Sequence, residues 1–166
     1  KMATLGRRVT GRLGQFIAPD MVAVRLTNPL PLIILGSPAY LARRGRPERP
    51  DDLREHACLR LRRSNGALAS WSLDDNGRSI EIVVAGPFIA NDFPTMLGAA
   101  VEGVGLAQVP APLATGAMAA GKLVPVLEQF APMTPGVFLY YPGHRQIMPK
   151  LRAFIDHVKG RSGGAS

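Results

Sequence analysis

Two adjacent polar residues, Asn91 and Asp92, stand where this chain could bind a small molecule. They follow the end of an apolar segment and come just before Pro94. Either side chain can accept hydrogen bonds from the free N–H groups of a helix start, and proline is tolerated in the first turn. A helix N-terminus also attracts anions. The pair is therefore a candidate ligand contact or a simple helix cap, and the residues alone leave both open.

The elements that position this pair lie between residues 89 and 110. Apolar residues recur after Asp92 at the helical period, and the face comprises Phe93, Met96, Leu97, Ala100, Val101 and Val104. Gly103 and Gly105 are suited to end the helix, and a short buried strand then runs to Pro110. The pattern predicts a right-handed βαβ unit with parallel strands. Ligands in such sheets lie beyond the carboxyl ends of the strands, where Asn91 stands.

A second capped helix follows another strand end. Residues 32–35 form a continuous apolar run, which is typical of a central buried strand, and residues 21–26 are rich in β-forming residues. We expect these two strands to be neighbours in one sheet. Ser37 and Pro38 then predict a helix start directly after the buried strand.

The remaining pattern predicts two α/β lobes. Strands alternate with helices, and an Asn-Gly pair at 76–77 indicates a hairpin. Gly/Pro-rich segments at 45–50 and 131–136 are expected to carry the chain from one lobe to the other and back. A cleft between the lobes would be the natural binding site. A last helix begins at Pro149, and residues from 160 onward are expected to be disordered.

Composition indicates a soluble globular protein. The chain has 166 residues, 46% of them hydrophobic, and no apolar run long enough to span a bilayer, so no membrane partner is predicted. Cys58 is the only cysteine, and no signal peptide is evident, which makes the cytoplasm the expected compartment. The formal charge is +8, and eight arginines lie between residues 43 and 63. We interpret these arginines as a solvated face, because no aromatic residues alternate with them for base stacking.

Catalytic and metal-binding patterns are missing from the sequence. No serine lies in a G-x-S-x-G turn, and the three histidines, His56, His144 and His157, lack metal-ligand spacing. The glycines at 103 and 105 follow their helix, so a dinucleotide phosphate would meet the wrong end of the helix dipole. The sequence therefore predicts no enzyme activity, no metal site and no cofactor.

Several stretches together resemble the effector-binding domain of LysR-type transcriptional regulators. They are GSPAYLARRGRPERPDDLREHACLRLR (36–62), the tryptophan strand and hairpin, ANDFPTMLGAAVEGVGLAQVPAPLATGAMAAGKLVPVL (90–127) and YYPGHRQIMPKLRAFIDHV (140–158). The match spans most of residues 11–160. The resemblance implies a periplasmic-binding-protein-like fold with two α/β subdomains, two crossover segments and an inducer in the cleft between the subdomains. It also implies a homodimer or higher homo-oligomer that binds DNA through a separate winged helix-turn-helix.

The resemblance also suggests a division of the chain. Residues 11–42 with 133–160 correspond to part of subdomain I and residues 43–132 to subdomain II, while 1–10 are an unassigned arm and 161–166 a disordered tail. The DNA-binding region and the opening strand–helix–strand of subdomain I have no counterpart in this sequence, so the chain alone is not expected to bind an operator. We expect an exposed sheet edge to be covered by an unusual dimer contact or strand exchange.

The family pattern, carried over position by position, implies eight ligand-binding candidates. They are Gly36, Ser37 and Pro38 on one side and Asn91, Asp92 and Phe93 on the other, with Gln108 and Pro110 nearby. Four of them have structural alternatives: Ser37 as a helix cap, Pro38 as a first-turn proline, Phe93 as a core anchor and Gln108 as a buried amide bonded to backbone.

We therefore expect a module that senses a small anionic molecule, such as a carboxylate, and thereby controls an oligomer. A free-standing solute-binding protein and a fragment that dimerises without sensing are the alternatives.

Overall fold

The computed structural model describes residues 21–142 and 149–162. These residues fall into two compact units. One is the continuous segment Leu30–Thr134, which we call the central unit, and the other, the flanking unit, contains 21–29, 135–142 and 149–162. The chain thus passes between units after Pro29 and after Thr134. The second passage lies within the predicted 131–136 segment, whereas the first lies well before residues 45–50.

Among the residues that the structure describes, the flanking unit contains two strands and one helix. Strand β1 (Met21–Arg25) pairs antiparallel with β10 (Phe138–Pro142), and helix α4 spans Pro149–Ser162. The apolar sequence of residues 137–141 is typical of a buried strand, but this sheet has two strands in the described part of the chain and Tyr140 is 37% exposed. Because α4 continues to Ser162, residues 160–162 are helical instead of disordered. Residues 1–20, 143–148 and 163–166, which include the predicted arm, lie outside the described residues.

Strand β2 (Leu30–Gly36) is the centre of the sheet in the central unit. It pairs antiparallel with β7 (Ala107–Pro110) on one side and β8 (Val124–Val126) on the other, and its first residues pair with β9 (Met133–Thr134). The prediction of a central buried strand is confirmed. The prediction that it neighbours residues 21–26 is wrong, since those residues belong to the flanking unit. Residues 30–36 pair with strands of the central unit, whereas the family resemblance suggested that they belong to subdomain I.

Three further strand segments run parallel to one another. Strand β3 (Arg60–Leu61) pairs with β6 (Ile89–Ala90), and a parallel bridge joins Cys58 to Leu106, just before β7. Helix α2 (Phe93–Val101) connects β6 to β7. The predicted βαβ unit therefore exists and its strands are parallel. They do not pair directly, because the segment that contains β3 lies between them.

Short helices and one hairpin complete the unit. Its remaining elements are α1 (Pro38–Arg44), the 3₁₀ helices Pro50–Glu55 and Glu128–Phe130, α3 (Ala111–Ala119) and the strands β4 (Trp71–Asp75) and β5 (Arg78–Ile82). Strands β4 and β5 pair antiparallel around Asn76 and Gly77, whose φ angles are +53° and +86°. Positive φ at both central residues is what a type I′ turn requires, so the predicted hairpin is confirmed.

The two faces of the sheet carry separate hydrophobic clusters. Leu35, Leu59 and Val109 pack with helices α2 and α3 on one face. Ile34, the chain neighbour of Leu35, and Cys58, the chain neighbour of Leu59, pack on the other face with a cluster drawn from α1, the first 3₁₀ helix and the hairpin, which includes Tyr40, Leu53, Trp71 and Leu73. Adjacent strand residues point to opposite faces, which explains this division. Strands with both faces covered have continuous apolar sequences.

A hydrogen-bonded pair, Tyr40 and His56, joins α1 to the end of the first 3₁₀ helix. The Tyr40 hydroxyl lies 3.0 Å from Nδ1 of His56 and accepts the Ala57 N–H at 2.9 Å. Both side chains are buried. Since the hydroxyl accepts from Ala57, its own proton is available to His56, which favours neutral imidazole with its proton on Nε2.

Acidification should destabilise the central unit through His56. Burial, and then the nearby positive charge of Arg44, lower the pKa of His56 below its ordinary value of 6.5. The unfolded chain therefore takes up a proton that the folded chain does not, so stability is full above about pH 6.5 and falls as the pH drops, by at most about 1.4 kcal/mol per pH unit. Urea titrations at several pH values test this: His56→Asn should flatten the slope, whereas the exposed His157→Asn should not. An unchanged slope in His56→Asn would contradict it.

Candidate functional site

One edge of the central sheet brings several strand ends together. Because β3, β6 and β7 are parallel, their last residues Leu61, Ala90 and Pro110 lie at the same edge. Strand β2 begins there, since Leu32 pairs with Pro110. Leu30 in turn pairs with Thr134, so the chain enters and leaves the unit at this edge, which we call the crossing edge (Leu30, Leu61, Ala90, Pro110 and Thr134).

Asn91 and Asp92 follow β6 directly and lie at the crossing edge. The Asp92 carboxylate is the N-cap of α2: Oδ1 accepts the Thr95 N–H at 2.8 Å and Oδ2 accepts the Thr95 hydroxyl at 3.1 Å. These two hydrogen bonds hold the pKa of Asp92 below its usual range. The Asn91 side chain is exposed and makes no hydrogen bond within the described part of the chain. Of the pair, Asp92 is thus the cap and Asn91 remains available to a ligand.

The N-terminus of α2 has little left to offer an anion. Pro94 has no N–H, the Thr95 N–H is donated to Asp92, and the Met96 N–H bonds the Asp92 carbonyl at 3.3 Å. Among the described first-turn amides, the Phe93 N–H is the one without a partner. The ionised Asp92 carboxylate beside it further opposes an anion.

Three other predicted residues also lie near this edge. Phe93 is partly buried against the cluster beneath α2 and α3, and Pro110 closes β7 just before α3. Gln108 is 7% exposed and donates from Nε2 to the carbonyl of Ser72 at 2.8 Å. This bond anchors the carboxamide between β7 and β4. Gln108 is therefore the buried amide of the structural alternative, two residues before the crossing edge.

The other three candidates, Gly36, Ser37 and Pro38, lie at the opposite end of the sheet. Strand β2 is antiparallel to β7, so it ends where β7 begins. The Ser37 side chain is buried, accepts the Tyr40 N–H at 3.2 Å and caps α1. A Cβ on Gly103, after the end of α2, would lie 3.3 Å from Ser37 Oγ. Since α2 has nine residues, about 13 Å separate this end from Asp92. The structure thus does not bring the eight predicted residues together.

Arg60 is a further charged residue at this edge, which the sequence pattern had assigned to a solvated face. It precedes the last residue of β3 and pairs in register with Ile89 of β6. Its Nε is buried and has no hydrogen-bond partner among the residues that the structure describes. The alternation of Arg60 and Arg62 with leucines suggested that both arginines lie on a solvent-exposed strand face, and Arg62 is indeed exposed. A strand between parallel neighbours, however, is covered on both faces. The alternation of arginine and leucine therefore did not indicate solvent exposure at Arg60.

Other arginines of the basic segment hold the unit together. Arg43 donates to the Gly103 carbonyl at 3.1 Å, Arg44 to Glu55 at 2.8 Å and Arg46 to Pro125 at 2.5 Å. These bonds attach α1 and the following loop to three other parts of the unit. Part of the positive charge thus serves backbone hydrogen bonding.

The described residues contain no group of three or more His, Cys, Asp or Glu side chains that could hold a metal ion. Burial raises the pKa of the Cys58 thiol to about 12, so this cysteine is not a reactive thiolate. No helix within residues 21–142 and 149–162 is long and apolar enough to cross a membrane.

Comparisons with known proteins identify the family. The model of the LysR substrate binding domain matches residues 10–163. A putative transcriptional regulator of Pseudomonas aeruginosa is 35% identical over 149 residues, which are 89% of this chain and 49% of that protein. The HTH-type transcriptional regulator PgrR of Escherichia coli is 34% identical, over 89% of this chain and 50% of its own length. The chain spans about half the length of these relatives.

A solved structure agrees with the fold. The regulatory domain of CrgA, a LysR-type transcriptional regulator from Neisseria meningitidis, superposes with a TM-score of 0.74 at 24% identity, over 90% of this chain and 72% of that one. The periplasmic-binding-protein-like α/β fold that the sequence predicted is confirmed. By family match and by fold, this chain belongs to the LysR substrate-binding domain family.

Proposed function

We propose that this chain senses a small anionic effector at the crossing edge of its central unit. Binding would control a homo-oligomer that presents a winged helix-turn-helix, which acts on DNA in the cytoplasm. Family membership supports a regulatory domain, and the relatives described above are transcriptional regulators. Contact with DNA would belong to a part of the regulator outside this chain.

The observation that carries the proposal is the convergence of strand ends. In open α/β sheets a ligand lies beyond the carboxyl ends of the strands. Here β3, β6 and β7 end together, and Asn91 is exposed at that point. We propose that Asn91, Asp92, Phe93, Gln108 and Pro110 serve the site, Asp92 by fixing the helix start. Gly36, Ser37 and Pro38 are proposed to be structural.

Control of an oligomer requires that the effector distinguish two states of the domain. A ligand shifts an equilibrium only by the difference between its affinities for the two states, and couplings of about 1–3 kcal/mol are typical. The two passages of chain at Leu30 and Thr134 lie at the proposed site. Binding there could bias the chain segments that join the units.

Two alternatives remain. A free-standing solute-binding protein has the same architecture, but the similarity to transcriptional regulators argues against it. A dimerising fragment that does not sense anything gains support from the β1–β10 sheet, which has two strands among the described residues, since an uncovered sheet edge is an association site.

Thermal unfolding with a panel of small molecules tests the proposed function. The panel contains aromatic and aliphatic carboxylates, their neutral amides, amino acids and sugars. A ligand at about 100 times its Kd adds roughly 2.7 kcal/mol, which should raise the Tm by about 5–10 °C. The rise should be lost in Asn91→Ala, because that exposed side chain would contact the ligand.

Ser37→Ala is the matched control for this experiment. The variant removes the α1 cap and should lower stability by about 1 kcal/mol. The ligand-induced rise in Tm should persist, because Ser37 lies at the opposite end of the sheet. A flat panel would contradict sensing and favour the dimerising fragment, and a rise that depends on Ser37 but not on Asn91 would place the site elsewhere.

A further inference from the structure

Arg60 supplies a partly buried positive charge near the crossing edge, and this charge has no partner in the described part of the chain. Its Nε is buried and unpaired, and its guanidinium makes no hydrogen bond or ion pair with any residue in 21–142 and 149–162. Arg43, Arg44 and Arg46, by contrast, each donate to a carbonyl. Removing part of a guanidinium from water without an acceptor is unfavourable. The free domain therefore contains a charge that an anion from outside would compensate.

The surroundings of Arg60 combine one polar group with apolar surface. Arg60 and Gln108 each lie two residues beyond the Cys58–Leu106 bridge, so their side chains project from the same face of the sheet. Gln108 is held by Ser72. Ile89, the register partner of Arg60, is 37% exposed although it is large and apolar. A ligand on this face would meet the Arg60 guanidinium and the exposed Ile89 side chain, while the buried Gln108 carboxamide is already bonded to β4.

The helix start cannot take the place of this arginine. Its one unpaired described amide, that of Phe93, stands next to the ionised Asp92. A single neutral donor beside a carboxylate does not balance a ligand charge. An arginine balances the charge of one carboxylate, because its planar guanidinium can donate two parallel hydrogen bonds to the two carboxylate oxygens.

We propose that Arg60 pairs with the effector, and that the effector is a monocarboxylate with an apolar body. This inference rests on the proposed function and names the ligand class for the same site. A single unpaired guanidinium matches one negative charge, and the nearby Asp92 carboxylate disfavours a second. The exposed Ile89 side chain matches the apolar body.

The experiment compares carboxylates with their own amides on the 166-residue chain. Benzoate and cyclohexanecarboxylate are tested against benzamide and cyclohexanecarboxamide, with succinate and inorganic phosphate as dianionic probes, all at matched ionic strength. Melts are recorded for the unaltered chain and for Arg60→Gln, Arg60→Lys, Arg60→Met and Arg62→Gln. Arg62 is the matched control, because it lies on the same segment but is exposed.

We expect a Tm rise with at least one monocarboxylate and a much smaller rise with its amide or with the dianions. Arg60→Gln should lose the rise, Arg60→Lys should keep part of it, and Arg62→Gln should keep all of it. Without ligand, Arg60→Met should melt at a higher temperature than the unaltered chain, because it removes an uncompensated charge and retains an apolar stem of similar length.

Distinct outcomes would overturn the two proposals. Amides that raise the Tm as much as carboxylates, or a carboxylate response that survives in Arg60→Gln, would overturn the role of Arg60 and leave effector sensing intact. A lower ligand-free Tm in Arg60→Met would show that the charge is already compensated within the protein and would also overturn that role. No response to any compound would count against both proposals.

Discussion

Replacing Gly86 by alanine should unfold the central unit or leave it barely stable. A Cβ at this position would lie 2.8 Å from the backbone N and carbonyl carbon of Cys58, and closer still to its oxygen. The obstacle is backbone: Cys58 bridges to Leu106, and its N–H bonds the carbonyl of Ala85 at 2.9 Å. Neither segment can move away without breaking this bridge or this hydrogen bond. We expect a loss of about 3 kcal/mol or more in the free energy of unfolding.

Urea unfolding monitored by Trp71 fluorescence measures this loss. Trp71 is the chain's single tryptophan and is buried in the cluster beside Cys58. Gly98→Ala is the matched control: Gly98 lies inside α2 and an added Cβ meets nothing within 4 Å. This control should gain about 0.5–1 kcal/mol, since alanine is the better helix former. A Gly86→Ala variant as stable as the unaltered chain would contradict the close approach of the two segments.

Removing the hydroxyl of Tyr40 should have the second largest effect. Tyr40→Phe keeps the ring in the core but takes a partner from the Ala57 N–H and from Nδ1 of His56. Leaving buried polar groups unpaired costs more than a hydrogen bond contributes in net terms, so we expect a loss of roughly 2–3 kcal/mol. Because the ring volume is unchanged, no cavity term adds to it.

Chemical unfolding of Tyr40→Phe and Tyr140→Phe provides the measurement and its control. Tyr140 belongs to β10 in the flanking unit and is partly exposed. The control should change stability by less than about 0.5 kcal/mol. If both variants lose equally little, the Tyr40 hydroxyl does not link α1 to residues 56–57 in the way that the hydrogen bonds indicate.

Local signals in the sequence predicted local structure well. The caps at Ser37 and Asp92, the type I′ turn and the glycine after α2 each depend on residues a few positions apart, and all are confirmed. Strand neighbours were harder, because pairing is decided by tertiary contacts. The sequence does not encode locally that residues 30–36 lie beside 107–110 while residues 21–25 lie beside 138–142.

The candidate site shows the same division. Gly36 lies at the end of β2 and Asn91 follows the end of β6, but the direction of β2 decides which strand ends lie together. Because β2 is antiparallel to β7, Gly36, Ser37 and Pro38 lie at the opposite end of the sheet from Asn91. The partial burial of Arg60 was not predicted for a related reason. Whether a strand residue is exposed to solvent depends on both neighbouring strands and on the hairpin that covers them. Periodicity within one segment does not contain that information.

A titration followed by ¹H–¹⁵N correlation spectra tests the central claim most directly. The chain is titrated with the monocarboxylate that raises the Tm most, and amide shifts are mapped on the structure. Effector sensing at the crossing edge predicts the largest changes at Arg60, Leu61, Asn91, Phe93 and Gln108, with residues 36–38 nearly unchanged. Changes centred on residues 36–38, or no saturable change in the central unit, would contradict it.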